Sequence, residues 1–174
     1  MKKILVFVGR PGAGKSFLIN KFLDKYPYFE SVDVFHYIKL IKEKMGNVPE
    51  ELTIGAYEQM YQDFNFMEKD IILELGTNHP EFNLKKLAGL TRSHQVTLLL
   101  CLLDIEVCRN RCLARGQNDS ALIFVGQSLE IRLNRIFPDL HKKFADSFNL
   151  KYHEIEMSLP IKERLDLIDG ILCN

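Results

Sequence analysis

Several features that would assign this chain to a class at once are missing from it. No C-x-x-C pair occurs among its four cysteines, Cys101, Cys108, Cys112 and Cys173. Cys108 and Cys112 stand one helical turn apart, but two thiols without further ligands make no zinc site, so reduced and mostly buried thiols are expected. No apolar run can cross a bilayer: Val96 to Leu103 falls far short of the roughly 20 residues a spanning helix needs. Neither sign of charge predominates, because 23 basic residues balance 23 acidic ones. Nothing in that balance calls for nucleic acid or an anionic membrane. The first apolar segment is too short for a signal peptide and runs straight into a glycine-rich turn, which makes the cytoplasm the expected compartment. Repeats, linkers and low-complexity tracts are absent too. With 47% apolar residues, the 174 positions read as one domain over 1–174.

What is present is concentrated at the start. Ile4 to Val8 is a continuous apolar run, the signature of a strand buried on both faces of a parallel sheet. Gly9-Arg-Pro-Gly-Ala-Gly-Lys-Ser16 follows at once and matches G-x-x-x-x-G-K-[ST], the phosphate-cradling P-loop. Its chemistry follows from its residues. Gly9, Gly12 and Gly14, with Pro11 and Ala13 between them, let the backbone turn tightly and aim N–H groups at phosphate oxygens. A helix opening near Lys15 points its positive end at the same anion. Lys15, expected at an exposed anion site, would reach the β- and γ-phosphates of ATP, and the Ser16 hydroxyl would ligate Mg²⁺.

The remaining periodicities alternate strand and helix. Helices are expected from Gly14 or Lys15 to Lys25, from Val34 to Met45 with Gly46 closing it, and from Thr53 along the stripe Tyr57, Met60, Tyr61, Phe64 and Met67. Further helices are expected over 83–92, 106–115, 122–136, 138–148 and 160–172, the last with Pro160 at its start. Strands are expected over 29–34, 71–76, 96–103 and 151–157, the last less buried than the others. The pattern is α/β: a three-layer sandwich around a five-stranded parallel sheet, for which the resemblance of the opening motif to P-loop nucleotide-binding folds implies the order 2-3-1-4-5. Two helices between the second and third strands exceed what a crossover needs. The segment 34–70 is therefore expected to grip an acceptor, unless it only covers the sheet.

Ligands of such sheets bind beyond the carboxyl ends of the strands. Asp33 ends the second strand, where a carboxylate could take a hydroxyl proton or orient an acceptor, or could simply cap the next helix. Glu74 ends the third strand, either beside Mg²⁺ and its waters or as a solvent-exposed terminus; Thr77 just beyond is a weaker candidate. Arg111 and Arg115 lie on one helical face at the edge of the polar loop 116–120, whereas Arg109 is rotated about 200° from Arg111. Arg132 and Arg135 lie one turn apart on the next helix. Arg111, Arg115 and Arg132 are expected to converge on the triphosphate; Arg109 and Arg135 read as surface residues.

These motifs together resemble the nucleoside monophosphate kinase group of P-loop kinases, the adenylate kinase relatives. The loop Gly9–Ser16 is similar to theirs, as is Asn110-Arg-Cys-Leu-Ala-Arg-Gly116. The resemblance implies that Arg111 lies against the adenine and that Arg115 is the first arginine of a short lid over 115–121. It implies that Arg132, in Ile131-Arg132-Leu133, contacts the transferring phosphates, and that Pro160, in Ser158-Leu159-Pro160, covers the adenine's other face. Two features depart from the group. Gln117-Asn118-Asp119 lacks the further lid arginine and paired aspartates, and Glu74-Leu75-Gly76-Thr77 replaces the Asp-Gly-Phe-Pro-Arg motif that helps hold a monophosphate. Asp33 resembles instead the small-molecule kinases, the shikimate and gluconate kinase relatives.

The expected function is transfer of the γ-phosphoryl group of Mg·ATP to a small-molecule or nucleotide acceptor, by a monomer or homodimer. The alternative is an ATP-binding regulatory switch or weak ATPase with no small acceptor. A GTPase lacks support, because no Asn-Lys-x-Asp occurs: Asn20-Lys21 is followed by Phe22-Leu23.

Overall fold

In the computed structural model, which describes residues 1–45, 50–116 and 128–173, five parallel strands pair in the order 2-3-1-4-5. They are β1 (Lys2–Val8), β2 (Phe29–Asp33), β3 (Asp70–Leu75), β4 (His94–Leu102) and β5 (Lys151–Glu156). Eight helices are described around them: α1 (Lys15–Lys25), α2 (Val34–Met45), α3 (Glu50–Asp63), α4 (Pro80–Leu90), α5 (Ile105–Ala114), α6 (Leu129–Leu133), α7 (Asp139–Ser147) and α8 (Ile161–Leu172).

The uninterrupted apolar run of β1 has the cause inferred for it. Successive side chains of a strand point to opposite faces, and here both faces are covered. Ile4, Val6 and Val8 join a core with α2, α3, α4 and α7, whereas Leu5 and Phe7 join a core with α1 and α8. β2 and β5 form the edges, and β5 buries only Ile155 fully. Outside the sheet, Tyr37 of α2 donates its hydroxyl to Asp63 at the end of α3 at 2.9 Å, holding the two helices of the 34–70 segment together.

Several boundaries differ from expectation for local reasons. α4 begins at Pro80, three residues early, because proline fits the first helical turn. α3 ends at Asp63, and Phe64 completes the buried stripe from the turn that follows. The single helix expected over 122–136 does not form as such. Ser128 is extended (φ −61°, ψ 153°) and caps α6 by accepting from the Ile131 N–H, so a new helix starts at Leu129 and stops at Leu133. The expected Gly46 terminus, the lid beyond Gly116 and the start of the 122–136 helix lie outside the described residues. Among the described residues no helix is long and apolar enough to cross a membrane. The cysteines are free thiols, Cys101, Cys108 and Cys112 buried and Cys173 exposed.

Candidate active site

The strand order places the chemistry. β3 lies between β2 and β1, and Asp33 and Glu74 are register partners across the β2–β3 pair, one row from the point where β1 opens into the P-loop. Two carboxylates and a phosphate-type loop thus share the carboxyl edge of three adjacent strands.

The loop is pressed against β4 and α5. A Cβ on Gly9 would lie 2.8 Å from the Cys101 carbonyl, and one on Gly12 would lie 2.4 Å from the Cys108 carbonyl and 2.9 Å from Cys112 Sγ. Gly12 and Gly14 also have positive φ, 79° and 91°. Ala13 is buried against Cys108, Cys112, Leu129 and Leu133. At the opening of α1 no side chain caps Gly14, whereas α5 is capped by Asp104 and α6 by Ser128. A helix start that is left uncapped beyond a glycine loop has main-chain N–H groups available to an anion.

Lys15 is not exposed as expected. Only 7% of it is accessible, because its stem is walled in and its Nζ folds back to donate to the Gly9 and Arg10 carbonyls at 2.9 and 3.1 Å. The same ammonium lies 3.7 Å from Glu74 Oε1. Ser16 Oγ donates to that Glu74 oxygen at 3.1 Å, so the two expected metal-binding oxygens already stand together. Hydroxyl and carboxylate oxygens suit Mg²⁺, which needs few protein ligands when phosphates and water complete its shell. Among the described residues no group of three or more His, Cys, Asp or Glu gathers, which leaves no all-protein cage of the kind a calcium or zinc site would need.

Asp33 both caps and faces the cleft. Its Oδ1 accepts from the Phe35 N–H at 2.9 Å, while the side chain lines the cavity with Ser16 and Glu74. Although Asp33 keeps solvent access, desolvation by the cleft walls and the Glu74 charge push its carboxyl above the usual range, against the Phe35 hydrogen bond and the Lys15 charge. Thr77, buried, and Asn78 form the adjoining wall. Sequence reasoning missed Asn78 and took Tyr57 only for a core residue. The loop after β3 is held from behind: Asn83 Nδ2 donates to the Asn78 carbonyl at 3.1 Å, and the Tyr61 hydroxyl donates to Asn83 Oδ1 at 3.0 Å.

The expected arginines divide. Arg115 and Arg132 line the same cleft as Asp33. Arg111 does not; Arg115 is the residue that closes α5, whereas Arg111 Nη1 leans instead on the Gly12 carbonyl at 3.5 Å. With Met157 it closes the outer side of Gly14. Pro160 precedes α8 beyond that point, outside the cleft lining, in a turn where Glu156 Oε1 accepts from the Ser158 N–H and hydroxyl. Arg109 is no free surface residue. It forks onto both oxygens of Glu130 at 2.8 Å and also pairs with Glu106, joining α5 to α6.

This architecture has solved counterparts. A shikimate kinase from Bacteroides thetaiotaomicron superposes with a TM-score of 0.63 at 17% identity, over 99% of both chains. A deoxyadenosine kinase from M. mycoides with bound dATP gives 0.60 at 16%, over 98% of this chain and all of that one (100%). A sugar kinase from Janibacter sp. gives 0.60 at 14%, over 99% and 95%. The fold is that of the P-loop kinases. At these identities the likeness speaks for the fold alone. No family model matches the chain, and no curated protein matches it by sequence.

Proposed function

We propose that this P-loop kinase fold carries a phosphotransferase that moves the γ-phosphoryl group of Mg·ATP to the hydroxyl of a small acceptor. The observation that supports the reading is that Asp33, Glu74, Ser16, Arg115 and Arg132 line one cleft together with Lys15 and the P-loop, with Ser16 Oγ and Lys15 Nζ both close to Glu74. In this reading Lys15 releases its loop carbonyls to meet the phosphates. Ser16 and Glu74 would hold Mg²⁺, which would supply neutralising charge to the phosphates. Asp33 accepts the proton of the attacking hydroxyl, and Arg115 and Arg132 neutralise the group in transit and exclude water. Arg111 and Pro160 flank the nucleotide on its outer side.

The acceptor wall supports an alcohol over a monophosphate. Val34, Phe35, Ile38, Tyr57, Thr77 and Asn78 line it beside Asp33, and none is cationic. No arginine occurs between Arg10 and Arg92, so the segment 34–70 has no guanidinium to hold an acceptor phosphate. The largely apolar lining suits an uncharged body carrying one reactive hydroxyl. The deoxyadenosine and sugar kinases among the structural counterparts accord with that chemistry.

The test is an acceptor screen with purified protein, ATP and Mg²⁺ across nucleosides, hydroxylated metabolites and nucleoside monophosphates. ADP release that depends on one hydroxyl compound is the expected result. Dependence on a monophosphate alone would reassign the acceptor. Slow release indifferent to every acceptor would favour an ATP-driven switch or weak ATPase.

A further inference from the structure

Arg10 occupies a variable position of the P-loop pattern, and its side chain points away from the phosphate cradle. Its Nε donates to the Leu133 carbonyl at 2.8 Å, and its Nη2 donates to the Phe137 and Arg135 carbonyls at 3.0 and 3.4 Å. The guanidinium also lies 5.5 Å from the centroid of the Phe137 ring. Its own carbonyl accepts from Lys15 Nζ at 3.1 Å and from the Ala13 N–H at 3.3 Å. One residue therefore holds the P-loop turn with its backbone and the end of α6 with its side chain.

The residue next to Leu133 is Arg132, which lines the cleft. Five residues of helix cannot persist alone. α6 is held at its start by the Ser128 cap and by the Arg109–Glu130 fork. At its far end the last carbonyls of a helix have no partner within it and carry partial negative charge. Arg10 supplies both hydrogen bonds and positive charge there. Lysine cannot reproduce a planar fork spread over three carbonyls.

We propose that Arg10 is a positioning residue, which fixes the Arg132 guanidinium relative to the nucleotide loop through the Leu133–Phe137 carbonyls. The inference rests on the phosphotransferase reading, in which Arg132 neutralises the transferring group. Removing the fork frees α6 to shift, and a displacement of about 1 Å in a catalytic group can cost on the order of a hundredfold.

The test is a double-mutant cycle of Arg10→Met and Arg132→Ala, measured with the best acceptor. Arg10→Met alone is expected to lower kcat between about tenfold and about a hundredfold while the KM for ATP moves less than about threefold. On the Arg132→Ala background the same change is expected to cost less than about twofold, because its effect runs through Arg132. Equal losses on both backgrounds, or no loss on either, would overturn the proposal. Arg10→Lys is the second variant, which also serves if Arg10→Met does not fold; it is expected to stay impaired, and full activity in it would show that charge alone suffices. A readout independent of turnover is amide exchange over residues 134–137. Mg·ADP is expected to slow it in the parent and not in the Arg10 variants; equal slowing in both overturns the tether. If no acceptor supports turnover, the phosphotransfer reading fails by itself and the exchange result still decides the tether.

Discussion

Single side chains at the mouth of the cleft carry more than one duty, and substitutions separate them. Asp33→Asn retains an oxygen for the Phe35 N–H but removes the base. Its expected effect is a fall in kcat of about 10²–10⁴ with little change in melting temperature. A fall of less than about tenfold would return Asp33 to capping alone. Lys15 divides differently. Because its ammonium satisfies two loop carbonyls in a nearly inaccessible position, Lys15→Met is expected to abolish turnover and also to cost about 1–3 kcal/mol of stability. Chemical denaturation checks the second part, and unchanged stability would mean that Nζ does not hold the loop. Gly12→Ala confronts both a positive φ and a carbonyl 2.4 Å from the new Cβ. The loop must shift there, and nucleotide affinity measured by calorimetry should fall to background.

At the scale of elements, α7 carries a group that ties stability to pH. His141 is buried, its ring meets Phe137 edge-on at 5.2 Å, and its Nδ1 has no partner among the described residues. Burial alone pulls its imidazole down to about 4. The folded state therefore resists protonation that the unfolded chain accepts below about pH 6.5. The contribution is intact above that pH and is lost as pH falls toward 4, by at most about 3 kcal/mol. Thermal denaturation of His141→Leu against the parent should show a shallower decline between pH 6.5 and pH 4.5. His94 and His153, both also pulled down by burial, keep some slope in the variant. Parallel curves would exclude His141 as a source.

At the scale of the whole molecule, the P-loop leaves the central strand of a sheet whose two faces carry the two largest cores, so a ligand held there is coupled to the entire fold. If the loop binds nucleotide as proposed, Mg·ADP at about a hundred times its dissociation constant should add about 2.7 kcal/mol. For a chain of this size that is roughly 5–10 °C in melting temperature. Part of the shift should vanish on chelation with EDTA, and that part should be smaller in Glu74→Gln, since Glu74 stands against Ser16 where the metal is assigned. A shift of the same size with and without EDTA would remove Glu74 and Ser16 from metal binding.

Much of this was legible in the chain itself, because local chemistry decides it. The run Ile4–Val8, closed at once by a glycine turn, reads as a strand covered on both faces, Gly9 and Gly12 occur where the loop approaches other backbone closely, and Gly14 where φ is positive. Strand–helix alternation then led to a parallel sheet, whereas its strand order came only with the likeness of the opening motif to P-loop folds. What no periodicity records is which polar groups meet across the sheet. Ser16 and Glu74 are far apart in sequence, and their contact exists only because β3 pairs with β1. The start of α6 at Leu129 is set by the Ser128 cap, and an apolar stripe alone does not reveal it. Arg109 and Lys15 carry side chains that read as solvent-facing and ligand-facing, and Arg10 gave no signal at all. The packing of α5 and α6 beside the P-loop supplied the Leu133 carbonyl to Arg10 and the Glu130 carboxylate to Arg109. The loop's own carbonyls and Glu74 of β3 drew Lys15 inward. Propensity and pattern depend on neighbours in sequence, whereas hydrogen-bond partners at long separation depend on where the folded chain brings them.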